Sequence, residues 1–324
     1  MPKAIRIHST GGPEVLVWEE VTVGDPGPGE ARVRHTAVGV NYIDTYHRSG
    51  LYKLALPSGI GSEAAGVVEA VGAGVDWVKP GDRVAYCGGL PGTYAEARVI
   101  AADRLVRIPE GVSDRGAATL MLKGLTVQYL LRQTYKVKAG DTILFHAAAG
   151  GVGLIACQWA RVLGVTVIGT VGSAAKAALA KENGCTHTID YSRENFVDKV
   201  KEITGGKGVP VVYDSVGKDT YPASLDCLSP RGLWVSFGNS SGAILNFDLL
   251  LLAQKGSLYA TRPTLFTHTP TRAALTAMAD EMFDLVRAGK IVSEPRQTFA
   301  LKDAAAAHRA LESRGTVGAT VLLP

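Results

Sequence analysis

At 324 residues the chain is long enough for two domains and a sizeable core. Hydrophobic residues make up 46% of it and charged residues 20%, an ordinary globular composition. The net charge of +4 is too slight for a basic stripe, and no nucleic-acid partner is expected.

The start, Met-Pro-Lys-Ala-Ile-Arg, alternates instead of running apolar and does not read as a signal peptide. The first lobe reads as β-rich. Segments 4–8, 31–40, 64–71, 83–86 and 94–100 carry β-branched or alternating residues, punctuated by Gly-Gly-Pro, Pro-Gly-Pro-Gly and Lys-Pro-Gly-Asp turns. Between them, residues 41–52 (Asn-Tyr-Ile-Asp-Thr-Tyr-His-Arg-Ser-Gly-Leu-Tyr) form a connecting segment dense in hydrogen-bonding side chains. A site is expected there, although a solvated loop or a capped turn would look alike.

From residue 124 the rhythm changes to βα. The run 142–147 suits a buried parallel strand, and apolar Val152, Ile155, Ala156, Trp159 and Leu163 mark one face of a helix. The turn between them is Ala148-Ala149-Gly150-Gly151-Val152-Gly153. Set on the dinucleotide fingerprint, Ala148 takes the first glycine slot, and Gly150 and Gly153 the second and third. Gly150 would let the backbone approach a pyrophosphate, Gly153 would let the helix pack on the strand, and the helix start would hold the anion. An acidic residue about 20 residues further on usually binds a free ribose 2′-OH. Here Thr170-Val171-Gly172-Ser173 stands in its place, followed by Lys176 and, after the next strand, Tyr191. A neutral site beside a lysine suits a 2′-phosphate, so NADPH is expected over NADH.

Further strands are expected at 165–171, 187–191, 209–214, 233–238 and 257–261, with helices at 173–183 and 194–204. Together they form a six-stranded, doubly wound parallel sheet. Beyond Arg262 a helix at 271–288, a strand at 297–300, a helix at 303–313 and a strand at 317–322 are too few to fold alone and should complete the first lobe. The expected division is residues 1–123 with 263–324 as a catalytic domain, and 124–262 as a nucleotide-binding domain. The apolar run 249–253 is too short to span a bilayer, so no membrane partner is expected. Cys87, Cys157, Cys185 and Cys227 lie far apart without a C-x-x-C pair. That argues against a disulfide framework or a cysteine zinc site and fits a cytoplasmic protein.

The run Gly140 to Leu144, the glycine turn, Gln158 and Arg161 together resemble the signature of the quinone oxidoreductase, or zeta-crystallin-like, branch of the medium-chain dehydrogenase/reductase superfamily. Residues 41–52, 61–66, 81–84 and 236–242 resemble it in the same order, so the likeness covers nearly the whole chain. The resemblance implies an α/β fold, with a GroES-like β-rich catalytic domain and a doubly wound Rossmann domain, and a homodimer. It also implies that Asn41, Asp44, Tyr46 and Tyr52 line the catalytic cleft. Asn41, Tyr52, Thr126, Ser215, Phe237, Gly238, Ser240 and Leu265 would neighbour the cofactor. Ala148, Gly150, Gly151, Val152 and Gly153 would hold the pyrophosphate, and Gly172, Ser173, Lys176, Tyr191 and Arg314 the 2′-phosphate. Arg262 would approach from the last strand, and residues 247–253 with 257–261 would pair across a twofold axis.

Zinc-dependent members of the superfamily carry a cysteine near the position of Asn41 and Gly-His-Glu where this chain has Gly61-Ser62-Glu63, so no metal is expected. His146 reads as a hydrogen-bonded strand histidine. A quinone accepts electrons readily enough that positioning and oxyanion stabilisation suffice, which points to direct hydride, or single-electron, transfer from NADPH without metal or flavin. Reduction of α,β-unsaturated ketones or aldehydes, and non-catalytic NADPH binding of a crystallin-like or RNA-interacting kind, stay open at this point.

Overall fold

The computed structural model describes residues 1–324. They divide into two units, Met1–Leu125 with Thr269–Pro324, and Thr126–His268.

In the first unit the chain runs through β1 (Lys3–Ile7), β2 (Val17–Glu20), β3 (Glu30–Val40), α1 (Tyr42–Ser49), β4 (Ser58–Gly59), β5 (Glu63–Val71), β6 (Arg83–Cys87), β7 (Ala97–Ala101) and β8 (Val106–Arg107), and then into α2 (Asp114–Tyr129). Strand β3 alternates buried and less buried residues, as a strand with one face on the core should. It pairs with β5 and β7, and Gly39 of β3 lies opposite Glu63 of β5. That register sets the residue following β3, Asn41, beside the first residue of β5. Ile5, Ile7, Val33, Ile60, Val84, Tyr86 and Leu105 fill the core. Each fully buried aliphatic side chain contributes about 1.5–3 kcal/mol through water release.

The second unit contains β9 (Thr142–Phe145), α3 (Gly151–Val162), β10 (Thr166–Val171), α4 (Ala174–Glu182), β11 (His187–Asp190), α5 (Phe196–Ile203), β12 (Val209–Asp214), β13 (Leu228–Ser236), α6 (Leu250–Gln254), β14 (Tyr259–Thr261) and α7 (Leu265–His268). Its six strands are parallel in the order β11-β10-β9-β12-β13-β14. The order reverses between β9 and β12, the switch point where ligands bind in doubly wound sheets. Leu144, Ile168, Ile189, Val212 and Trp234 pack its core.

The chain then returns to the first unit through α8 (Arg272–Arg287), β15 (Gln297–Ala300), α9 (Ala304–Glu312) and β16 (Thr320–Leu323). Strand β16 adds to β3, and β15 to β16, so the tail completes the first sheet.

Several elements differ from the sequence reading. Residues 42–49 form helix α1, not a connecting loop: the Asp44 side chain caps the Asn41 backbone N–H, and Gly50 closes the helix at φ 85°. Helix α2 was not anticipated, because it is apolar on nearly every side and carries Gly116 and Gly124, so no amphipathic period shows. Gly124 is there for packing, since a Cβ would come within 2.3 Å of the Met282 sulfur in α8. Strand β14 is shorter than 257–261, because Ser257 has φ 56° and cannot join the ladder.

Candidate functional site

Helix α1 gathers the four residues expected to be catalytic. Asn41 precedes its first turn and is buried, its backbone N–H donating to Asp44 Oδ2 at 2.9 Å. The Asn41 side chain donates from Nδ2 to Glu63 Oε1 at 2.9 Å. The ring of Tyr46 meets that of Tyr52 edge-on with centroids 5.3 Å apart, and the Tyr52 N–H donates to the Tyr46 carbonyl. Tyr52 is half-buried, so it is the tyrosine of the pair that faces outward.

Asp44 is fully buried. Its carboxylate accepts from Ser62 Oγ at 2.7 Å and Tyr94 Oη at 2.9 Å as well as from Asn41. Burial pushes its carboxyl up to about 6, although the Ser62, Asn41 and Tyr94 donors pull the other way. Tyr94 in turn meets His308 Nε2 at 3.0 Å, and His308 Nδ1 meets the Arg48 guanidinium at 3.0 Å. Arg48 is bidentate on Glu312, at 3.0 and 2.6 Å. Since Arg48 only donates, His308 accepts at Nδ1 and carries its proton on Nε2. Burial and the Arg48 charge hold its imidazole down to about 3, so it is neutral. The chain of bonds from Asp44 to Glu312 ties α1 to α9 and fixes the pose of Asn41.

In the second unit the glycine turn has the expected geometry. A Cβ at Gly153 would come within 2.4 Å of the Ala147 carbonyl oxygen and 2.6 Å of that of Ala148, so this glycine is required for helix and strand to meet. Gly150 differs. It has ordinary extended backbone, φ −77° and ψ 173°, and a Cβ would touch only the Ala147 oxygen, at 3.2 Å. Conformation does not demand glycine there, and a Cβ would crowd that one oxygen and nothing else within 4 Å beside the N–H groups that begin α3. Gly151 and Val152 are the first residues of that helix, whose opening turn holds no acidic side chain. Ala148 is buried behind the turn, its N–H on the Thr170 carbonyl at 3.0 Å.

At the end of β10, a Cβ on Gly172 would lie 2.6 Å from the Tyr191 hydroxyl, so the two are adjacent. Ser173 caps α4, accepting from the Lys176 N–H at 3.3 Å, and the first turn of α4 is also free of acidic residues. Gly172, Ser173, Lys176 and Tyr191 are thus brought together; Arg314 belongs to the other unit, at φ 58° after α9. Asp190, the nearest carboxylate along the chain, is engaged by Ser192 through its N–H and hydroxyl. Ser215, Phe237, Gly238 and Ser240 meet beyond the carboxyl ends of β12 and β13: a Cβ on Gly238 would strike the Ser215 oxygen at 2.4 Å, and the Ser240 N–H donates to that oxygen at 3.2 Å. Arg262 reaches this edge, donating to Ser236 Oγ at 2.9 Å and the Gly238 carbonyl at 3.0 Å. Thr126 is half-buried on α2, and Leu265 is buried in α7. His146 donates to Ser224, which donates to Asp214, and accepts from Thr170. It is a neutral, structural histidine as expected.

Residues 27–110 match the alcohol dehydrogenase GroES-like domain, and residues 151–279 the zinc-binding dehydrogenase domain. The chain is 58% identical over its full length, and over the full length of the relative, to a quinone oxidoreductase of Pseudomonas aeruginosa. It belongs to the quinone oxidoreductase family. In the crystal structure of Escherichia coli quinone oxidoreductase complexed with NADPH, the relative is 53% identical and superposes with a TM-score of 0.98, over 99% of this chain and all of that one. A 2-haloacrylate reductase from a Burkholderia species is 49% identical over all of this chain and 99% of its own.

Zinc does not fit this family member's residues. No three His, Cys, Asp or Glu side chains lie close enough to share an ion. Ser62 is committed to Asp44, and the Glu63 carboxylate to Asn41 and Lys123. Glu63, Lys123, Tyr94 and His308 were missed from sequence. Glu63 lies in the Gly61 to Gly66 stretch, but its partners Asn41, Leu122 and Lys123 are 22, 59 and 60 residues away, and Tyr94 and His308 are 214 apart, so only the fold brings them together.

Proposed function

We propose that the chain is an NADPH-dependent quinone reductase. The observation that carries this reading is the opening at Gly150: an unoccluded backbone over an acid-free helix start, followed by a second acid-free helix start with Lys176 and Tyr191 beside it. A pyrophosphate fits the first place and a 2′-phosphate the second. The relatives' quinone oxidoreductase names, and the NADPH bound to the Escherichia coli protein, support the same assignment.

In this reading Gly150, Gly151 and Val152 hold the pyrophosphate by backbone N–H groups, and Gly153 and Ala148 let the turn close. Gly172, Ser173, Lys176, Tyr191 and Arg314 receive the 2′-phosphate. Thr126, Ser215, Phe237, Gly238, Ser240 and Leu265 shape the place of the nicotinamide. When bound, NADPH supplies a hydride. Asn41 and the Tyr52 hydroxyl orient the acceptor, and a tyrosine hydroxyl stabilises the oxygen on which charge develops. Tyr46 supports Tyr52 by ring contact. Asp44, sealed from solvent, acts by holding Asn41 and not by touching substrate.

The 2-haloacrylate reductase relative favours a second reading, hydride delivery to an activated alkene. Steady-state NADPH oxidation with 9,10-phenanthrenequinone, 1,4-benzoquinone and an alkenal separates the two. The quinones are expected to give the higher kcat/KM, and a marked preference for the alkenal would overturn the assignment.

The chain is also proposed to work as a homodimer. Leu245, Leu249, Leu250 and Tyr259 are 88%, 72%, 59% and 58% exposed; Tyr259 lies in β14, the edge of the six-stranded sheet, and the three leucines at or just before α6, which precedes it in the chain. A second copy covering this face would remove both the apolar surface and the open edge from water.

A further inference from the structure

Glu63 and Lys123 form a buried ion pair. Glu63 is fully buried and Lys123 is 6% exposed. Glu63 Oε1 accepts from Lys123 Nζ at 2.5 Å and from Asn41 Nδ2 at 2.9 Å, and Oε2 accepts from the Leu122 backbone N–H at 2.7 Å. Three elements are shaped around this one carboxylate. A Cβ at Gly39 of β3 would come within 2.4 Å of Glu63 Oε1 and 2.2 Å of the Ala118 carbonyl in α2, so glycine there makes the room.

Taking both charges out of water is expensive, and a buried pair of this kind is poor evidence for stability alone. It does impose orientation. A carboxylate only accepts, so Asn41 must turn its NH2 group, not its oxygen, towards Glu63. We propose that Glu63 and Lys123 are positioning residues for the reduction: the ammonium holds the carboxylate in place, and the carboxylate fixes the Asn41 amide at the head of α1. The inference rests on the assignment of Asn41 to the reacting site.

The test is a mutant cycle on the full chain. Glu63→Gln with Lys123→Met removes both charges together and keeps the side-chain shapes. The glutamine can offer Asn41 either oxygen or NH2, so the amide is no longer fixed. With 1,4-benzoquinone, kcat is expected to fall about tenfold or more while the NADPH Kd from fluorescence titration changes less than about twofold. The primary isotope effect with 4-deuterated NADPH is expected to rise. Asn41→Ala should give a similar loss, and adding the double change to it should cost nothing more, because the pair acts through that amide. Losses that multiply in the triple variant, or an unchanged kcat in the double variant, would overturn the proposal. Should the double variant fail to fold, Glu63→Gln alone is read in the same cycle with the same two outcomes. Wild-type protein inert towards quinones but active on an alkenal would overturn the quinone assignment instead, and the cycle run with the alkenal would still decide on Glu63 and Lys123.

Discussion

Gly150 and Gly153 look alike in the sequence and do different things. Gly153→Ala would drive a methyl group into two backbone oxygens, whereas Gly150→Ala meets one oxygen at 3.2 Å. Gly153→Ala is therefore expected to lower the melting temperature and weaken NADPH binding together. Gly150→Ala should lose clearly less melting temperature than Gly153→Ala yet bind NADPH about tenfold or more weakly; equal melting losses in both would contradict the distinction. Asp44 permits a test by pH. Its carboxyl titrates near 3.8 when exposed and near 6 when buried in the fold. The folded protein holds the extra proton between those values. The stability this confers is present below about pH 4 and is lost as pH rises through about 6, on the order of 3 kcal/mol. In denaturant melts, the advantage of wild type over Asp44→Asn should narrow by about that amount from pH 4 to pH 7, and an advantage independent of pH would contradict it.

At the scale of elements, the second unit was legible because each βα step carries local signals: a β-branched run, a capping serine or asparagine, a closing glycine. Ser173 and Asn195 do cap α4 and α5. Helices α1 and α2 hid for opposite reasons. The short α1 is mostly polar with four buried members, among them Asp44 and Arg48, whose bonding partners come from α9, the residue before β5 and the loop before β7. The long α2 is so thoroughly enclosed that it shows no polar face. The glycine turn carries its signal locally, whereas Glu63 and Lys123, which steady the Asn41 side chain, are brought to it only by the fold. Parallel pairing sets the other limit: the neighbours of β9 are β10 and β12, and the second of these lies more than sixty residues along the chain.

For the whole molecule, α3 and α4 of the second unit begin without acidic side chains, and the first unit holds a carboxylate and an ammonium locked together. No helix is long and apolar enough to cross a membrane. If β14 and α6 form the face between two copies, Leu250→Lys should shift the mass measured by light scattering from that of a dimer towards that of a monomer, since a desolvated lysine on an apolar contact is costly. An unchanged dimer mass would place the interface elsewhere. The reading of the whole chain as a quinone reductase depends most on the phosphorylated cofactor, and its most direct measurement is kcat/KM for NADPH and for NADH, with 1,4-benzoquinone, in wild type and Lys176→Ala. The expected result is a wild-type preference for NADPH that drops by about tenfold or more in the variant, with NADH nearly unaffected. Equal loss with both cofactors, or a wild type indifferent to the 2′-phosphate, would contradict it.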